Sequence, residues 1–362
     1  MQCSFVGDIP LVSTSSGTQS GLAQDFYQSK NALLLAESLF PTNSVFSGGK
    51  TKILSTDHLS NIRSVLQNLL SENEIEVDLT TYATCSRKEF VQRTFEPKLS
   101  RIFSTLTHGC RFENTYDISA RSAVLFALCS CIPNSLPKAC HALLETLIDF
   151  NESERESGLC LEDELFLQTT NYGQIHHLIE LWKLFVSWID EQSDSHSADS
   201  DASPLADCES DLLGSVRVLF RAAVVLLQLS GVVKKYRATL CSGLAKLFAL
   251  DPACVPRFFH EITGKWPVCT SRKGVAMLEL LQDLLEESEV LEESAFEGEI
   301  TALLEWICKL VNGNQAEICM QGIQILDSDR VLLKYIVCKP YRVRMVEQCL
   351  NRNRRGAGGV GE

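Results

Sequence analysis

Apolar residues recur at helical spacing along almost the whole of this chain, and that periodicity limits the folds open to it. Leu59, Ile62, Val65, Leu66, Leu69 and Leu70 fall at i, i+3, i+4 and i+7 behind Asp57, a suitable N-cap. Phe90, Val91, Phe95, Leu99, Ile102, Phe103 and Leu106 continue the pattern across Pro97, which should kink or restart the helix. Ser119–Ile132 ends at Pro133, and Pro137–Phe150 begins with a proline suited to a first helical turn. Gln174–Asp190 places Ile175, Leu178, Ile179, Trp182, Phe185, Val186 and Ile189 on one side. Helices are then expected at Leu212–Leu229, Val232–Leu250, Cys254–Lys265, Arg272–Ser288 and Phe296–Val311. Further ones are expected near Gln315–Asp327, Arg330–Val337 and, as a basic end, Arg342–Arg355.

Only Glu74–Thr80 (EIEVDLT) alternates like a strand, and it stands alone. Helices of about 12–20 residues, with short connections and pairing at intervals of about 40, are the pattern of stacked helical repeats. Each pair is too small to bury its own apolar face, so it must stack on its neighbours. The expected fold is all-α, a HEAT/armadillo-like α-solenoid: a superhelix of antiparallel helix pairs with a concave binding face. Composition agrees: 45% of residues are hydrophobic, and Gly (20) and Pro (10) are sparse.

Residues 1–54 read as a mostly disordered arm rich in Ser, Thr and Gly, and residues 55–350 as the repeat domain. Residues 190–211, acidic and serine-rich with no Lys or Arg, read as a disordered insertion, and 351–362 as a flexible tail. Ser193, Ser195, Ser197, Ser200 and Ser210 sit among carboxylates, a context that acidophilic kinases favour.

A net charge of −13 argues against sequence-independent nucleic-acid binding and against docking on an anionic membrane. The most apolar window, Val216–Val233, carries Arg217 and Arg221, so a buried helix explains it better than a membrane span. The fifteen cysteines form no C-x-x-C, and most lie among Leu, Val and Phe; with no hydrophobic leader at the start, they point to a reducing cytoplasmic or nuclear setting.

No catalytic constellation emerges. Phe46–Lys52 (FSGGKTK) lacks the glycine spacing and leading strand of a phosphate loop. His176 and His177 diverge by roughly 100° on a helix and should not share a metal. Cys140 and His141 read as one buried thiol and one exposed imidazole, and the run from Glu286 to Glu293 as a charged helix end. The chain is expected to have no enzyme activity, metal or cofactor of its own.

The stretch LLQLSGVVKKYRATLCSGLAKLFALDPACVPRFFHEITGKWP, followed by SRKGVAMLELLQDLLEESEVLEESAF, resembles the B-prime family of regulatory subunits of protein phosphatase 2A. The matching positions are Trp266, Pro267, Ser271, Lys273, Val275, Leu278, Leu281, Leu285 and Phe296. Each has a structural role available: Pro267 ends a helix, Ser271 can cap the next, and Trp266 can fill the space between repeats. Weaker similarity runs back to about Thr56. The resemblance implies a non-catalytic subunit that binds the phosphatase scaffold and catalytic subunits and presents phosphoprotein substrates to them. It also implies a peptide groove with Leu184 and Trp188 at its apolar positions. Where the family carries a His-Arg pair and an aromatic residue, this chain has Cys129, Ser130 and Cys131, leaving Lys138 as the nearby cation. The usual acidic peptide motif is therefore expected to bind weakly or not at all. A generic helical-repeat adaptor in trafficking or nuclear transport is the alternative.

Overall fold

The computed structural model describes residues 56–75, 87–109, 115–132, 134–156, 171–197, 206–229, 231–266, 271–292 and 294–357. The expected arm at 1–54, Phe46–Lys52 and Pro267 lie outside them. Among the described residues all regular structure is helical, and no helix is long and apolar enough to cross a membrane. The chain divides into two compact units, Met1–Thr146 with Thr170–Trp188, and Leu147–Thr169 with Ile189–Glu362.

In the first unit α1 spans Thr56–Glu72, α2 Arg87–Phe95, α3 Leu99–Gly109 and α4 Thr115–Cys131. The opening of α5 (Leu136–Glu156) and most of α6 (Asn171–Ser197) complete it. Pro97 acts as expected: a 3-10 turn at Glu96–Lys98 separates α2 from α3. The central element is α4, which packs on α1, α2 and α3. Its side chains from Ala120 to Cys129 are all buried, so it shows little of the amphipathic pattern of a surface helix.

Helix ends here are closed by side chains from elsewhere. Lys98 Nζ donates to the Asn73 and Glu74 carbonyls (2.7 and 2.8 Å) and Arg101 Nη2 to the Glu72 carbonyl (3.2 Å), at the end of α1. Glu74 and Ile75, the start of the strand-like run, form the closing turn of α1, with the Ile75 N–H on the Leu70 carbonyl. The end of α4 is closed by Ser135, whose hydroxyl donates to the Ile132 and Cys129 carbonyls (2.7 and 3.2 Å).

The second unit contains α7 (Ala206–Gln228), α8 (Val232–Leu250), α9 (Cys254–Gly264), α10 (Ser271–Glu287), α11 (Glu297–Val311) and α12 (Ala316–Leu326). A single turn at Asp329–Val331 then runs into a π-helix, Leu332–Ile336, and α13 (Pro340–Ala357) follows. The helices pack regularly on the next but one, α7 on α9, α8 on α10, α9 on α11, α10 on α12 and α11 on α13, and within pairs α7 packs on α8 and α11 on α12. The result is two layers, α7–α9–α11–α13 and α8–α10–α12. That is the ladder of a helical-repeat stack, and the all-α solenoid class is what the unit shows.

The repeat interval is visible in the bonds between repeats. Lys273 reaches back 45 residues to Gln228, Arg237 forward 42 to Glu279, Lys334 back 48 to Glu286 and Arg342 back 45 to Glu297. Two glycines are required by geometry. Gly231, in the short α7–α8 turn, has φ 69°, and a Cβ on Gly322 would sit 2.8 Å from Val311 Cγ2, where α12 crosses α11.

The acidic segment expected as an insertion from 190 to 211 is helical at both ends: α6 continues to Ser197 and α7 opens at Ala206. Residues 198–205 lie outside the described residues. Asp190 pairs with Lys246 on α8 at 2.8 Å, which offsets the charge repulsion that a run of carboxylates brings to a helix.

Candidate functional site

The residues that carry the family resemblance form the joints of the stack. Trp266, at the end of the α9 connection, meets Trp306 of α11 edge to face, with centroids 4.8 Å apart and planes at 81°. Gly274 lies beneath Trp266, where a Cβ would stand 3.1 Å from the indole. Ser271 is the first residue of α10, and Lys273, two residues on, donates from Nζ to the Gln228 carbonyl that closes α7. Phe296 is buried just before α11. These side chains fix one repeat on the next; they do not converge on a reacting centre.

The expected peptide groove lies in the first unit. Leu184 and Trp188 sit one turn apart on α6 and are buried, with 8% and 6% of their surfaces exposed. Phe126 of α4 packs on Phe185 (5.2 Å between centroids) and meets Trp188 edge to face at 5.1 Å. The indole Nε1 of Trp188 is buried with no acceptor among the described residues. Lys138, in the first turn of α5, is exposed. Cys129 and Cys131 are buried, and burial pushes the Cys129 thiol far above its usual range, so it is neutral. This part of α4 is therefore an apolar core and presents no charge of its own.

Other groups singled out by the sequence take structural parts. The imidazoles of His176 and His177 lie 5.4 Å apart, and burial together with His176 lowers the pKa of His177 to about 4. Cys140 is buried and His141 exposed, as the helical spacing predicts. Glu286 accepts from Ser328 Oγ (2.7 Å) and Gln282 Nε2 (2.9 Å), and the Lys334 ammonium bridges the Glu286 carbonyl and the Glu292 carboxylate. Burial works to raise the Glu286 carboxyl, and these bonds together with the charges of Arg330 and Lys334 outweigh it and hold the group below its ordinary value. No group of three or more His, Cys, Asp or Glu side chains among the described residues could hold a metal.

One residue defeats the sequence pattern. Arg342, expected within a basic end, is 4% exposed. Its guanidinium donates to the Tyr335 carbonyl (2.8 Å), the Glu297 carbonyl (2.8 Å) and the Thr301 hydroxyl (2.9 Å), tying α13 and the π-helix to the start of α11. A lone arginine after Pro-Tyr carries no periodic signal of that role.

Fold and joints together define a helical-repeat protein whose distinctive residues serve repeat packing. A family model described as protein phosphatase 2A regulatory B subunit (B56 family) matches residues 208–354, which is almost the whole run from α7 to α13. Over that stretch, less than half of the chain, the sequence is similar to the B56 family. A comparison with curated proteins finds no match.

Proposed function

We propose that this chain is a regulatory subunit that binds the scaffold and catalytic subunits of a protein phosphatase 2A-type enzyme and brings phosphoprotein substrates to them. The family match over residues 208–354 carries the reading. The two-layer stack supports it, because repeat packing spaces exposed helix faces and turns at fixed intervals, as a scaffold requires. In this reading catalysis and its metals belong to the partner. The chain's own contribution is rigid positioning: Trp266, Lys273 and Arg342 lock successive repeats so that surfaces on different helices keep their spacing.

The burial of Leu184 and of Trp188, which packs on Phe126, with an exposed Lys138 as the nearby cation, supports weak engagement of the acidic peptide motif. Affinity purification of the tagged full chain from cells should recover a phosphatase scaffold and catalytic subunit together. Recovery of trafficking or transport factors with neither phosphatase subunit would sink this reading in favour of a generic adaptor.

A further inference from the structure

The turns of the second unit alternate between two ends. Lys273, at the start of α10, touches Gln228 at the end of α7, and Asn353 Nδ2, late in α13, donates to the Val311 carbonyl at the end of α11 (3.2 Å). The α7–α8, α9–α10 and α11–α12 turns therefore share one end with the close of α13. The α10–α11 connection and the π-helix occupy the other, where Tyr335 Oη donates to the Leu285 carbonyl (3.0 Å).

Charge is unevenly divided between these ends. From Leu212 to Leu250 there is not one carboxylate, in a chain whose net charge is −13. Lys234 and Lys235 follow the α7–α8 turn, and Lys265 and Arg272 flank the α9–α10 turn; all four are exposed. Glu261, paired with Lys265, and Glu317, in the first turn of α12, lie beside these turns, and further along α10 Glu279 and Asp283 pair with Arg237 of α8. At the opposite end Glu286, Glu289, Glu292 and Glu297 predominate, with Lys334 and Lys339 already paired to Glu292 and Glu297.

We propose that the end of this unit formed by the α7–α8 and α9–α10 turns docks an extended, carboxylate-rich segment of a partner protein. The Lys273 bond holds the two turns side by side, which brings these four cations, Lys265 with its partner Glu261, to the same end of the unit. Lysines on flexible stems act as point charges and suit scattered carboxylates better than a fixed bidentate arrangement. A short acidic segment can use these charges without laying further anions over the rest of the chain. A long nucleic acid would meet the repulsion of a net charge of −13. This surface is distinct from the phosphatase assignment and holds or fails independently of it, because it can be measured on the isolated chain.

The test is fluorescence anisotropy of a labelled synthetic peptide of alternating Glu and Asp with the purified full chain, at low and at physiological salt. Binding should be present at low salt and fall as salt is added. The variant Lys234→Glu/Lys235→Glu/Arg272→Glu should weaken it by about tenfold or more, and Lys234→Gln/Lys235→Gln by roughly threefold. The control Arg330→Glu/Arg344→Glu, with two exposed cations reversed outside the strip, should change it less than about twofold. The proposal is overturned if the peptide does not bind at low salt, or if control and triple variant lose binding equally. Tighter binding of a single-stranded RNA of matched charge would also overturn it, by making the surface a nucleic-acid site.

Discussion

The Lys273 ammonium rests on the carbonyl oxygen of Gln228, the last residue of α7, across 45 residues of sequence. A helix C-terminus leaves its last carbonyls without intrahelical donors and carries partial negative charge, so a cation placed there does two jobs. Lys273→Met keeps the half-buried stem and removes the charge. We expect it to cost about 1–2 kcal/mol, read as a lower midpoint in urea denaturation with an unchanged m-value. Lys273→Arg should recover part of the loss.

Arg342 closes the last joint in a more buried setting. Its guanidinium serves two carbonyls and the Thr301 hydroxyl, and Arg342→Met would leave those acceptors short of donors in a dry site. A loss of about 3 kcal/mol is expected. Because the bonds tie α13 and the π-helix to α11, hydrogen exchange should accelerate in residues 332–357 before it does in α8 or α10. Uniform acceleration across the second unit would contradict a local clamp.

The helices were legible because their signals are local. Val232–Leu250 follows from its periodicity to the residue, and Pro97 interrupts α2–α3 because a proline lacks the donor wherever it sits. What escaped depends on partners 45 or more residues away. The continuation of α6 past Asp190 is accompanied by a pair with Lys246, and the burial of Arg342 needs the start of α11, so composition misleads at both places. The π-helix belongs with them: its Val337 N–H to Leu332 carbonyl bond accompanies the placement of Lys334 and Tyr335 on the end of α10. At the expected groove, the family resemblance singled out Leu184 and Trp188 on α6. It could not show how fully Phe126 covers Trp188, because that contact belongs to another helix.

The pH dependence of stability should carry a signature of His177. Burial and the neighbouring His176 lower its pKa to about 4 from an ordinary value of 6.5. Between those values the unfolded chain binds the proton and the folded chain does not, so stability rises with pH across that window. The contribution is complete above pH 6.5 and is lost as pH falls toward 4. Since the imidazole is only half buried, about 1 kcal/mol is a reasonable share. In urea titrations from pH 7 to 4.5, His177→Gln should flatten the slope of stability against pH.

Glu74 ends α1 in a left-handed conformation, φ 51°, where a side chain crowds the following carbonyl. Helices that close this way favour glycine at that position. The Ile75 N–H to Leu70 carbonyl bond and the Lys98 ammonium on the Asn73 and Glu74 carbonyls hold the turn in spite of the crowding. None of those bonds uses the Glu74 side chain, so Glu74→Gly keeps every one of them and relieves the steric penalty. A gain of about 1 kcal/mol is expected, with Glu74→Ala close to neutral because alanine keeps the Cβ. The thermal midpoint of the first unit's transition should rise for the glycine variant alone. Equal gains for glycine and alanine would trace the effect to the lost carboxylate and leave backbone strain without a part in it.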